Sequence, residues 1–199
     1  MPSPADRLPK RELDALALFA RDMAHEAGDV LRRGSSRPRN VSKKGKIDLV
    51  TNVDLASESL IVGRIKKRFP EHGILAEENT SKKTESPFRW LIDPLDGTVN
   101  FAHGYPHFCV SIALEYRNAT RVGVVFDPLR NEMFSAALGR GARLNSRRIQ
   151  ITTPARLVDA LCATGFPYDT HTSPKNNLAN FGRIMKRAQD IRRGGSAAL

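Results

Sequence analysis

Trp90-Leu91-Ile92-Asp93-Pro94-Leu95-Asp96-Gly97-Thr98-Val99-Asn100-Phe101 is the stretch on which the fold turns. Its apolar start reads as a strand that delivers Asp93 at its end. Pro94, which has no N–H to give, stops the ladder there. A turn then brings Asp96 back beside Asp93, and Gly97 and Thr98 open a helix. Two carboxylates are thereby held near helix-start amides. Such a pair repels itself unless a cation lies between, while exposed N–H groups at a helix start attract an anion. A divalent ion bridging carboxylates and a phosphate meets both demands. Every candidate donor is an oxygen, which suits Mg²⁺ and argues against zinc, because no Cys or His cluster has ligand spacing.

Outward from this stretch, short apolar runs bounded by turn residues predict strands at Gly73–Ala76, Phe88–Ile92, Cys109–Glu115, Val122–Phe126 and Glu132–Ala137. Asp127-Pro128-Leu129-Arg130-Asn131 is a tight turn, so the last three runs form an antiparallel meander. Upstream, apolar spacing of three and four predicts a helix from Asp14 to Arg33, ended by Gly34. A mobile connection or hairpin over residues 35–46 leads to the strand-like Leu49-Val50-Thr51. A second helix, capped by Asp54, buries Ile61, Ile65 and Phe69 and ends at Pro70. Downstream, a strand is expected at Val158–Thr164 and a helix at Pro174–Arg187. The fold class is α+β, a layered sandwich of helices and sheet. Residues 1–12 read as a flexible N-terminus and 13–199 as one domain, with its metal-binding part over about 13–150 and the start of a C-terminal part over about 151–199.

Composition narrows the function classes. The 199 residues carry 32 Lys and Arg against 21 Asp and Glu, a formal charge of +11, and 40% are hydrophobic. That apolar share sustains a core and excludes wholesale disorder. No apolar run approaches the ~18 residues of a membrane span, and the first residues lack the apolar centre of a signal peptide. A cytoplasmic protein without a membrane partner is expected. Cys109 and Cys162 read as buried thiols rather than a metal knuckle or disulfide. The basic clusters Lys43-Lys44-Lys46, Arg64-Lys66-Lys67-Arg68 and Arg192-Arg193 are ordinarily solvated faces, although +11 attracts phosphates and nucleic acid. Gly139-x-Gly141 reads as a hairpin turn, and His103 and His107 as loop or packing residues.

The run from Trp90 to Phe101 resembles the signature of the inositol monophosphatase family, Mg²⁺-dependent and lithium-sensitive phosphomonoesterases. The resemblance extends through Asp48-Leu49-Val50-Thr51-Asn52-Val53-Asp54 and Ala76-Glu77-Glu78-Asn79. Asp127–Glu132, Ala163–Pro167 and Arg192–Leu199 look like bacterial SuhB-type members. The resemblance implies a sugar-phosphatase type of sandwich. It makes Glu77, Asp93 and the Leu95 carbonyl ligands of a first Mg²⁺, gives Asp93 and Asp96 to a second, and has Glu77 help to hold a third; Mn²⁺ is the expected substitute. Asp54 and Thr98 match the pair that orients the attacking water, so Thr98, Asp54 and Glu77 are the expected catalytic residues. Gly97, Thr98 and Asp96 are expected at the substrate, Lys43 matches a basic residue of a mobile loop, and Glu78 is left as solvated or supporting.

The implied reaction is hydrolysis of a phosphate monoester, inositol monophosphate first, by metal-activated water. Other sugar or nucleotide phosphates and histidinol phosphate are alternatives. The family's following Trp-Asp-x-Ala-Ala-Gly segment, which brings one more metal ligand, is not found before Leu199. The chain therefore reads as C-terminally incomplete, with little activity expected of it, and the complete protein as a homodimer. The competing class is a non-catalytic basic module that binds RNA or transcription machinery.

Overall fold

A computed structural model describes residues 8–36, 41–43, 49–167 and 169–199. Helix α1 spans Lys10–Ser35, four residues longer at its start and two at its end than the apolar spacing predicts. Pro9 precedes it, and Arg32 and Arg33 in its last turn suit the negative helix end, so the pattern of buried residues understates its length. Its stripe of Leu13, Leu16, Phe19, Ala20, Met23, Ala27 and Leu31 is buried. Strands β1 (Val41–Lys43) and β2 (Leu49–Thr51) pair antiparallel and lead into α2 (Asn52–Arg68).

An eight-stranded sheet forms the body. It comprises β3 (Gly73–Ala76), β4 (Ser81–Lys82), β5 (Phe88–Asp96), β6 (Cys109–Tyr116), β7 (Ala119–Asp127), β8 (Glu132–Ala137), β9 (Gly141–Leu144) and β10 (Arg147–Ile149). Their order is β10-β9-β8-β7-β6-β5-β3-β4, and only β3 and β5 pair in parallel. Alternate residues Val110, Ile112 and Leu114 of β6 and Val122, Val124 and Phe126 of β7 are buried, which puts them on one face in the core with α1 and α2. The approach of α1 to β7 is close: a Cβ on Gly28 would stand 2.4 Å from the Phe126 ring. The predicted meander is β6-β7-β8. Asp127 Oδ1 shapes its turn by accepting the amides of Leu129 (2.9 Å) and Arg130 (3.1 Å).

After β5 comes the short helix α3 (Thr98–His103). Near the C-terminal end of the chain, β11 (Leu161–Ala163) and β12 (Asp190–Arg192) pair in parallel around α4 (Leu178–Met185). The expected strand from Val158 is half replaced by a 3-10 turn at Leu157–Asp159, where Arg156 forks onto the Asp159 carboxylate at 2.8 and 3.0 Å. The expected helix from Pro174 starts only at Leu178, because the Asn176 side chain takes the Leu178 amide at 3.1 Å. Residues 1–7 of the expected flexible N-terminus lie outside the described residues, and α1 already includes residues 10–12.

Candidate active site

The first helical turn of α2 sets one side of the site. Thr51, rather than the expected Asp54, is the cap: its hydroxyl oxygen accepts the amides of Val53 (3.2 Å) and Asp54 (3.4 Å). Asp54 sits three residues further on and closes a capping box, accepting from the Thr51 amide at 2.9 Å and from the Thr51 hydroxyl. Its second oxygen accepts from Thr98 Oγ1 at 3.2 Å. Asp54 is fully buried, and that burial raises its pKa against the lowering effect of the Thr51 and Thr98 bonds. Thr98 Oγ1 also lies 3.0 Å from the Leu95 carbonyl, so its one proton serves either Asp54 or Leu95.

Strand β5 sets the other side. Asp93 pairs with Ser111 and Asp96 with Cys109, so three steps along β5 match two along β6. Regular alternation would send residues 93 and 96 to opposite faces. The extra residue at the Pro94 bulge brings both carboxylates to one face. Asp93 Oδ1 accepts the Leu95 amide at 3.2 Å. Burial first, and then Glu77 beside it and Asp96, push the Asp93 carboxyl up to about 8. Glu77 reaches Asp93 from the end of β3, where its amide is held by the Ile92 carbonyl at 3.0 Å. Gly97 has φ +93°, and a Cβ there would stand 3.0 Å from the His107 carbonyl, so glycine suits the turn into α3.

The structure thus brings together Asp54 with Thr98 and Glu77 with Asp93. Asp96 shares the face of Asp93, but its oxygens are already engaged: they accept the Ser196 hydroxyl and the amides of Ala197 (2.9 Å) and Ala198 (2.6 Å). Among the described residues no three His, Cys, Asp or Glu side chains converge closely enough, as placed, to hold an ion. The donor set nonetheless suits a hard cation. Glu77 raises the proton affinity of Asp93 for want of a positive partner, and the oxygens of both match Mg²⁺ preferences. Asp96 would join them by turning away from residues 196–198. Asp48 lies outside the described residues, and only the backbone of Lys43 is described.

Several neighbours escaped the sequence reading. Ser57 Oγ donates to the Pro94 carbonyl at 2.9 Å, and Glu58 accepts from the segment after Glu77. Their spacing of three and four from Asp54 was the available signal. Glu78, read as solvated or supporting, is half-buried. Cys109 is buried as expected and its thiol pKa is raised by burial and Asp96, whereas Cys162 is only half-buried because its strand lies at the margin. His72 is stacked between Phe69 and Phe88.

The layered α+β sandwich is of the sugar-phosphatase type, and comparison with known proteins places it. The chain belongs to the inositol monophosphatase family, whose sequence profile matches residues 12–199. It is of the SuhB type. It is 43% identical to the Nus factor SuhB of Haemophilus influenzae over 179 residues, 88% of this chain and 67% of that protein. It is 47% identical to an inositol-1-monophosphatase of Synechocystis over 163 residues, 81% of this chain and 57% of that one. The crystal structure of the suhB extragenic suppressor protein of Bartonella henselae superposes with a TM-score of 0.87 at 37% identity, over 93% of this chain and 72% of that one. The chain thus spans about two thirds of the length of its SuhB relatives. No helix among the described residues is long and apolar enough to cross a membrane.

Proposed function

We propose that this site hydrolyses phosphate monoesters with Mg²⁺, or Mn²⁺ in its place, and that inositol monophosphate is the foremost substrate. The observation that carries the reading is the buried Asp54–Thr98 hydrogen bond beside the mutually repelling Glu77 and Asp93. The family is generally metal-dependent, and the Synechocystis relative is named for inositol-1-monophosphatase activity. Glu77, Asp93, the Leu95 carbonyl and Asp96 are the groups that would hold the ions. When bound, Mg²⁺ supplies charge neutralisation of the phosphate and acidifies water.

The remaining work falls to the chain. Thr98 Oγ1, donating a hydrogen bond to Asp54 Oδ1, keeps its lone pairs outward to accept a hydrogen bond from the attacking water, which aims the water's oxygen in line with phosphorus. Donation to Asp54 rather than to Leu95 also frees the Leu95 carbonyl for a cation. The amides of Gly97 and Thr98 open the first turn of α3, where helix geometry leaves N–H groups without intrahelical acceptors, and receive the phosphate oxygens. Thr98→Ala is expected to lower phosphate release from inositol 1-phosphate by about 10²-fold while Mg²⁺ affinity by calorimetry stays within twofold. The readout is the ratio between variants; an unchanged ratio would remove the pair from the reaction.

A second reading is favoured by a different observation. A groove of about 650 Å³ between α1 and α2 is lined by Ala15, Leu18, Phe19, Asp22, Arg64, Lys67 and Arg68, with Arg64 and Arg68 over the Phe19 ring and Arg64 also paired with Glu26 at 2.6 Å; the groove's cations outnumber its one lining carboxylate. Arg64 lies ten residues beyond Asp54 on α2, roughly 15 Å along the helix. Together with the Nus factor name of the SuhB relatives, this supports RNA or transcription machinery as a partner independent of hydrolysis.

A further inference from the structure

Helix α2 presents three polar side chains at spacings of three and four, and each grips a different part of the site. Asp54 holds Thr98, Ser57 holds the Pro94 carbonyl within the β5 bulge, and Glu58 reaches the segment that leaves β3. Glu58 is the unexpected member. It is only 4% exposed, and none of the ion pairs among the described residues involves it. A buried carboxylate is costly unless hydrogen bonds replace its water. Here they converge from three consecutive residues. Oε2 accepts the Glu78 amide at 2.9 Å, and Oε1 accepts the Asn79 amide at 3.1 Å and the Thr80 hydroxyl at 2.7 Å.

Those residues directly follow Glu77. The same segment is tied to β5 by the Glu77 amide on the Ile92 carbonyl, and to β3 by the Ala76 amide on the Thr80 carbonyl at 2.8 Å. The two sheet bonds hold its ends. Glu58 holds its middle through three donors, and so sets the angle at which Glu77 projects toward Asp93. We infer that Glu58 is a positioning residue: by gripping the backbone of Glu78 and Asn79 and the Thr80 hydroxyl, it holds the Glu77 carboxylate where it can share a cation with Asp93. This rests on the reading of Glu77 and Asp93 as ligands. Glu58 itself touches no reacting atom, because its two oxygens are taken up by the segment.

Glu58→Gln conserves volume but, whichever way the amide is turned, sets an NH₂ group against the backbone N–H of Glu78 or Asn79, which cannot accept it. Thr80→Val removes one donor and leaves the carboxylate in place. Mg²⁺ titration by calorimetry, with hydrogen exchange at the Glu78 and Asn79 amides, tests the role in the whole 199-residue chain. Glu58→Gln should weaken Mg²⁺ binding about 10- to 100-fold, as loss of a group that orients a ligand does, and speed exchange at both amides. Thr80→Val should produce a smaller change of the same sign, and decides the matter if Glu58→Gln does not fold. Faster exchange with unchanged Mg²⁺ affinity would overturn the inference and leave Glu58 a loop anchor. Failure of the unsubstituted chain to bind Mg²⁺ would instead overturn the ligand reading, and this inference with it.

Discussion

Asp93 is the residue where charge is least at rest. An ordinary carboxyl titrates near ~3.9 in the unfolded chain, whereas burial and the neighbouring Glu77 and Asp96 push this one up to about 8. Between those values the folded state holds the extra proton, so stability is greatest at the acid end of the window and falls as pH rises through it. A cation reverses the trend, since it favours the ionised form and displaces the proton. Mg²⁺ should therefore raise the thermal midpoint more at pH 8 than at pH 5. Asp93→Asn should flatten the ion-free pH dependence and abolish most of the Mg²⁺ effect. Melting curves at both pH values, with and without Mg²⁺, check this; a variant that keeps the full Mg²⁺ shift would show that the ion is held elsewhere.

At the scale of elements, the junction of α2, β3 and β5 is built around His72. Its ring stacks on Phe69 and Phe88, with centroids 4.6 Å from each, and its Nδ1 accepts from Trp90 Nε1 at 3.1 Å. That bond requires a neutral Nδ1. Burial, with the Lys82 charge adding to it, lowers the His72 pKa. The unfolded chain then takes up this proton first as pH falls, so the contribution is complete above about 6.5 and is lost below it. His72→Phe should keep the stack and flatten this acid-side slope. Trp90 is the chain's single tryptophan, so its fluorescence during mild acidification reports the junction directly. Identical acid profiles for parent and variant would locate the titrating group elsewhere.

For the whole molecule, an excess of +11 makes binding to any polyanion depend on salt. If the α1–α2 groove is where a nucleic acid docks, its cations must account for part of that dependence. Lys67→Gln with Arg68→Gln should reduce the slope of log affinity against log salt by about 1.4 for single-stranded RNA, at roughly 0.7 per phosphate contact. Fluorescence anisotropy across a KCl series measures it. An unchanged slope would move RNA contacts away from this groove, while hydrolysis at the Asp54–Thr98 end of α2 should be indifferent to the pair.

What the sequence alone determined is what local chemistry dictates. Proline and glycine punctuate the chain after β5, apolar spacing marks the buried faces of α1 and α2, and alternation marks the meander from Cys109 to Ala137. These signals act between residues a few positions apart, so they survive without a partner in view. They also sufficed to set Asp93 and Asp96 at a strand end before a helix start, which are local events, whereas the roles expected of Asp54, Thr98 and Glu77 came from the resemblance to the family. Tertiary structure decided the rest. The extra residue at Pro94 becomes a bulge that aligns Asp93 with Asp96 only when β6 supplies the register. Asp96 turns toward Ser196, 100 positions away, through a contact that no nearby residue foretells. Glu58 looks like any helix-surface acid until the fold closes three donors from beyond β3 over it, because burial belongs to the packing of α2 against its neighbours and not to the residue itself.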